Sequence, residues 1–185
     1  MNKIKAVFQR LKVLMLKRNI RQSVVNVGRE MTSAGRVLVL LPENPQHRIN
    51  ILNNSKVLVN ALPGSEICLV SMPDDKVRET ARTEGFRNFA PHAMEVNWYN
   101  FPKKNFFARI SNLKGKMVVD LDFEGSYFNA AICAVSSAPI RIGIYESWGP
   151  PIHNVQIKPG GSGGESDAFR SLLSVLSELT STSVN

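Results

Sequence analysis

The run Arg36-Val37-Leu38-Val39-Leu40-Leu41 is unbroken, apolar and rich in branched side chains, and Pro42 closes it. A strand with one wet face alternates polar and apolar residues. A strand without alternation is covered on both faces, as in a parallel sheet clad by helices. Working outward, the next signals alternate between the two periods. Residues 46–61 read as one helix with Ile49, Leu52, Val57 and Leu58 as its apolar positions, stopped by Pro63-Gly64. Ile67-Cys68-Leu69-Val70 is a second covered strand. Residues 74–84 form a short charged helix, capped by Asp74 and closed by Gly85. Residues 86–89 are a short strand.

The second half repeats the alternation. Residues 91–102 are irregular and aromatic, with Trp98, Tyr99 and Phe101 ahead of Pro102. That cluster fits a loop folded onto the core, or else a ligand platform. Residues 103–113 read as a helix and Met117-Val118-Val119-Asp120-Leu121 as a strand. Residues 125–137 form a small-residue helix with Ala130, Ala131, Ile132, Ala134 and Val135 on its apolar face. Residues 140–145 and 155–157 are further strands. Residues 165–180 close with an amphipathic helix carrying Phe169, Leu172, Leu173, Leu176 and Leu179. Strand–helix alternation of this kind builds a Rossmann-like α/β fold: an open parallel sheet with helices on both faces. The expected organisation is an N-terminal helical arm over 1–34, an α/β domain over 35–158, a glycine-rich linker over 159–164 and a C-terminal helix and tail over 165–185.

Composition agrees. The chain has 185 residues, 43% of them hydrophobic and 21% charged, which is globular usage. No apolar run reaches the roughly 18 residues that a membrane-spanning helix needs. Two cysteines, Cys68 and Cys133, form no CxxC pair, which excludes a zinc ribbon or a disulfide scaffold and fits a reducing, cytoplasmic setting.

The charge is unevenly placed. Residues 1–30 hold eight basic side chains (Lys3, Lys5, Arg10, Lys12, Lys17, Arg18, Arg21 and Arg29) against the single acid Glu30, a net of +7. Residues 31–185 hold 15 basic and 14 acidic residues, a net of +1. The total of +8 therefore describes the arm and gives no case for nucleic acid as partner of the domain. Ile4, Val7, Phe8, Leu11, Leu14 and Met15 recur at three- and four-residue steps, one face of a helix. Such an arm can dock on its own domain, lie on an anionic membrane surface (the inner face of a membrane for a cytoplasmic protein), or bind nucleic acid or an acidic protein. The apolar run 13–16 is too short for a secretory signal.

Few motifs carry chemistry. Gly160-Gly161-Ser162-Gly163-Gly164 matches GxSxG, but His47, His92 and His153 all precede the serine, and so flexible a tract cannot hold a strained nucleophile elbow. The stretch reads as a linker. The histidines match no metal-ligand spacing and read as surface or satisfied core residues, so neither a metal nor a cofactor is expected. Asp120, Asp122 and Glu124 alternate at the end of a parallel strand, on the sheet edge where ligands bind. There they can act on a ligand or cap the following helix.

These residues also carry a resemblance. Asp122-Phe123-Glu124-Gly125, then Ala130-Ala131-Ile132, then Ser137-Ala138-Pro139-Ile140-Arg141-Ile142-Gly143-Ile144 resemble the family 9 glycosyltransferases, the ADP-heptose:lipopolysaccharide heptosyltransferases. Arg36-Val37-Leu38-Val39 and Leu62-Pro63-Gly64-Ser65-Glu66-Ile67 are similar to that family's first strand and its entry to the second. The resemblance spans roughly residues 36–145 and implies the acceptor half of a two-domain GT-B arrangement, without the nucleotide-sugar half. It implies a ligand site at Glu43, Asn44, Gln46, His47, Arg48, Asp122, Glu124 and Gly125, with His47, Asp122 and Glu124 as catalytic candidates. It also carries departures. Gln46-His47 stand where the family has Gly and its catalytic Asp, Glu124 stands where it has glutamine, and Phe128 stands where it has an arginine. The expectation is a non-catalytic binding or assembly subunit, joined to a partner chain, a second copy or a membrane surface by its arm. The alternative is a glycosyltransferase half that transfers sugar together with a separate donor-binding chain.

Overall fold

The computed structural model of the protein describes residues 3–20, 35–144, 148–158 and 165–181. Among them run α1 (Lys3–Arg18), β1 (Arg36–Leu40), α2 (Pro45–Asn53), α3 (Ser55–Ala61), β2 (Glu66–Val70), α4 (Asp75–Thr83), β3 (Arg87–Phe89), a 3-10 turn (Ala93–Glu95), α5 (Lys104–Asn112), β4 (Met117–Asp120), α6 (Tyr127–Val135), β5 (Ile140–Ile144), β6 (Val155–Ile157) and α7 (Glu165–Ser181). The strands form one six-stranded sheet in the order β3-β2-β1-β4-β5-β6, every pair parallel. That is the doubly wound Rossmann order. Arg21, the 21–34 segment, Tyr145 and the Gly160–Gly164 tract lie outside the described residues.

Strand parity divides the core in two. Val37, Val39 and Leu41, Ile67 and Leu69, Val119 and Leu121, and Ile140, Ile142 and Ile144 point one way and bury Ile51, Leu58, Val77, Leu172 and Leu176 of α2, α3, α4 and α7. Leu38, Leu40, Cys68, Val70 and Val118 point the other way, under Phe106 and Ile110 of α5 and Phe128, Ala131 and Ile132 of α6. Phe106 and Phe128 stack at 6.0 Å and are almost fully buried. Each such ring contributes about 2–3 kcal/mol by leaving water.

Two expectations change. The helix over 46–61 is two helices, because Asn54 interrupts it with φ −109° and ψ 24°. Its Nδ2 donates to Asn50 O at 2.8 Å, so the side chain offers the backbone an alternative to continuing the helical ladder. The arm docks on its own domain, one of the options its sequence left open, but not by its richer apolar face. α1 packs on α6 with Val13 fully buried, and Gln9 Nε2 donates to Tyr99 O at 2.8 Å. The docked face is the one opposite the apolar face read from periodicity. Val7, Phe8, Leu11, Leu14 and Met15 remain 43–59% exposed.

The motif of the resemblance turns out to be framework. On β5, Arg141 and Gly143 face the α6 side of the sheet. Arg141 is buried and donates to three carbonyls: Ala138 O at 2.6 Å, Ile152 O at 2.9 Å and Pro151 O at 3.1 Å. Burial holds its guanidinium below its ordinary pKa. Gly143 leaves room for His153, since a Cβ there would overlap the imidazole ring. Replacing Arg141 by Met should leave those carbonyls unanswered and cost about 2–4 kcal/mol. A urea midpoint unchanged from wild type would contradict this role.

Candidate functional site

The sheet grows from β1 in one direction through β2 and β3 and in the other through β4, β5 and β6. The carboxyl ends of β1 and β4 therefore face a crevice between diverging connections, where open α/β sheets receive ligands. The loop after β1 carries Glu43 and Asn44. The loop after β4 carries Asp122, Glu124, Gly125 and Ser126. The structure joins Glu43, Asn44 and His47 to the Asp122–Ser126 loop, while Gln46 and Arg48 make their contacts elsewhere.

Asp122 is 2% exposed. Its Oδ1 accepts the main-chain N–H of Glu124 and of Ser126, each at 3.0 Å, and its Oδ2 accepts the N–H of Glu43 at 3.0 Å. One carboxylate thus holds its own loop in shape and ties it to the loop after β1. Burial first, and then the charge of Asp120, push the Asp122 carboxyl above its ordinary pKa, while the N–H groups of Glu43 and Ser126 pull the other way. Gly125 takes φ +82°, which a side chain would resist. The cap of α6 is Ser126, whose Oγ accepts from Asn129 N at 3.1 Å and donates to Glu43 Oε1 at 2.6 Å. So neither Asp122 nor Glu124 caps the helix.

The remaining candidates line the other side. Asn44 caps α2, its side chain accepting from Gln46 N at 3.0 Å, and its Nδ2 lies 3.4 Å from Glu124 Oε1. Arg48 is buried and structural: it donates to Pro42 O at 3.2 Å and pairs with Asp74 at 3.1 Å, fixing the β1–α2 loop to the start of α4. Gln46 reaches back to Asn50 Oδ1 at 3.4 Å on an exposed helix face. His47 Nδ1 stands 4.0 Å from Glu124 Oε1, and the Glu124 side chain is 62% exposed.

Beneath this layer lies a polar cluster that the sequence did not reveal. Asp120 is fully buried. Its Oδ1 accepts from Asn129 Nδ2 at 2.8 Å and from Asp122 N at 3.0 Å, and its Oδ2 pairs with His153 Nε2 at 3.1 Å. Asn129 Nδ2 also donates to Leu41 O at 3.2 Å. Asp120, Cys133 and His153 are, among the described residues, the group whose potential metal-ligand atoms lie within 4.8 Å of one another. Their chemistry favours a hydrogen-bonded core over a metal centre. Both Asp120 oxygens are engaged, and burial, then the Asp120 charge, hold the Cys133 thiol well above its ordinary pKa, away from the thiolate that binds metal. No local spacing announces this cluster, because His153 lies 33 residues beyond Asp120.

Clefts of about 720 and 570 Å³ lie elsewhere, on the flanks of α2–α4 and between α2 and α7, and the switch-point residues do not line them.

Asn at position 122 would turn an NH2 group toward the Glu43 N–H or lose the Ser126 and Glu124 bonds. Asp122→Asn should cost about 1–3 kcal/mol, read as a lower urea midpoint. His153→Ala should cost about 2–3 kcal/mol, because it removes the hydrogen-bond partner of Asp120 Oδ2 and leaves a cavity in the core. Wild-type midpoints in either variant would contradict these roles.

Neither a family model nor a curated protein matches the sequence. Among solved structures, the chain is similar to E. coli heptosyltransferase WaaC with ADP, at 15% identity and a TM-score of 0.51, over 81% of this chain and 47% of that one. The same enzyme with ADP-2-deoxy-2-fluoro heptose gives 14% identity and a TM-score of 0.46 over 80% and 48%. The chain thus spans about half the length of the solved enzyme it matches. At that identity the likeness is one of fold: the six-stranded parallel sheet and its helices have the architecture of about half of a heptosyltransferase.

Proposed function

We propose that the protein is a non-catalytic binding or assembly module built on the heptosyltransferase half-fold, holding a partner chain or a glycan precursor without turning it over. The observation that carries this reading is the Asp122 carboxylate. A general base at the switch point needs lone pairs aimed at the crevice. Both Asp122 oxygens instead accept main-chain N–H groups, and the Asp120 carboxylate beneath it is engaged by Asn129, Asp122 N and His153. The N–H groups of Glu43, Glu124 and Ser126, which could otherwise face a ligand, are spent on the same carboxylate.

A second reading is favoured by His47 beside Glu124. An imidazole near a carboxylate can take up a proton, and His47 in the first turn of α2 stands 4.0 Å from Glu124 on the loop after β4. In that reading the chain is a glycosyltransferase half that acts with a separate donor-binding chain.

Purified protein incubated with nucleotide-sugar donors and candidate acceptors should show no transfer above the protein-free blank. The same assay repeated with a co-purifying donor-binding chain separates the two readings: transfer by that assembled complex that falls about 100-fold or more in His47→Ala would overturn the first reading and support the second, and a blank there too supports the first.

A further inference from the structure

We infer that the outward face of α1, with the aromatic loop beside it, is a docking surface for an anionic lipid bilayer. This inference goes beyond the module's proposed role and does not depend on whether the switch point is catalytic.

The geometry follows from helical pitch. At 100° per residue, Val7, Phe8, Leu11, Leu14 and Met15 fall in one stripe, and Gln9, Val13 and Leu16 fall on the opposite side. The second set packs against the domain. The first set faces solvent, at 56% exposure for Val7, 53% for Leu11 and 59% for Met15. α1 is therefore apolar on both faces, and docking on the domain uses only one of them.

The charges frame the outward stripe. Lys3, Arg10 and Lys17 recur every seven residues along one flank, and Lys5 and Lys12 along the other, with no acidic residue anywhere in the helix. An apolar stripe between two basic rows is what an interfacial helix presents to lipid. The apolar side chains enter the headgroup boundary, and each cation near the surface gains about 1 kcal/mol from anionic lipid.

The surface continues onto the loop after β3. Phe8 packs against Trp98 at 5.6 Å and stacks with Tyr99 at 5.8 Å, and Trp98 is 60% exposed. Exposed Trp beside apolar surface is the usual residue of a membrane–water boundary. Next to it runs a groove of about 430 Å³, with Met15, Phe101 and Phe107 among its apolar walls and Lys12, Lys103 and Lys104 supplying its charge. Its apolar walls and lysines suit a lipid with a phosphate head. No helix among the described residues is long and apolar enough to cross a membrane, so the contact is with the surface.

The basic rows select the occupant. A second copy of the chain would bring the same cations against one another, which the absence of acids on this helix leaves uncompensated, whereas an anionic bilayer answers both rows at once.

The test is sedimentation of the full chain with vesicles of phosphatidylcholine alone or containing about one third phosphatidylglycerol. Binding is expected to the anionic vesicles, weakening as salt rises above about 0.1 M. Val7→Glu/Leu11→Glu and Lys5→Glu/Lys12→Glu should each lower the affinity at least tenfold while thermal unfolding stays as in wild type, since these side chains project from the docked helix. No binding by the wild type, binding undiminished in both variants, or a concentration-dependent dimer through this face without vesicle binding would each overturn the inference.

Discussion

The carboxylate of Asp122 is the joint on which the centre of this structure depends. A buried carboxylate is costly unless its oxygens are answered, and charge-assisted hydrogen bonds from backbone N–H groups answer it well. Here the donors come from two loops, Glu43 after β1 and Glu124 and Ser126 after β4. The bond to Glu43 sets the loop that leads into α2, and the bond to Ser126 sets the first turn of α6. Fold and chemistry compete at this place. Three N–H groups of the loops at this crevice, those of Glu43, Glu124 and Ser126, are the ones Asp122 has taken.

The same economy holds one layer down. Among the apolar strands, β4 and β5 place Asp120, Arg141 and Gly143 on the face beneath α6. The arginine holds the connection to β6 by its carbonyls, and the glycine makes room for His153 to reach Asp120. These are residues of the Arg-Ile-Gly stretch on which the sequence resemblance rests. Much of that resemblance therefore reports a way of closing a sheet. A motif of this kind serves the fold, which is why fold similarity to a heptosyltransferase leaves activity open.

The sheet was readable from residues alone because its strands are covered on both faces, so Val37–Leu41 is an unbroken apolar run and Met117–Leu121 is apolar but for Asp120. Asp74 and Gly85 likewise announced the ends of α4 through cap chemistry. Other features were hidden for physical reasons. Asn54 splits a helix that hydrophobic spacing alone joins. α1 has two apolar faces, and periodicity picks the richer one, Ile4 to Met15, although Val13 and Gln9 do the docking. Asp122 shows the same acidic pattern whether it faces a ligand or its own backbone, and only the path of the loops decides between them. His153 meets Asp120 across 33 residues of chain, a pairing with no local trace.

Native-state hydrogen exchange of the wild-type chain tests the central claim most directly, because the amides of Glu43, Glu124 and Ser126 sit in loops yet are held by a buried acceptor. These three amides should exchange as slowly as those of the central strands β1 and β4, opening only with sub-global unfolding. Exchange at the rates of open, solvated loops would mean that Asp122 does not close the switch point, and the non-catalytic reading would lose its foundation.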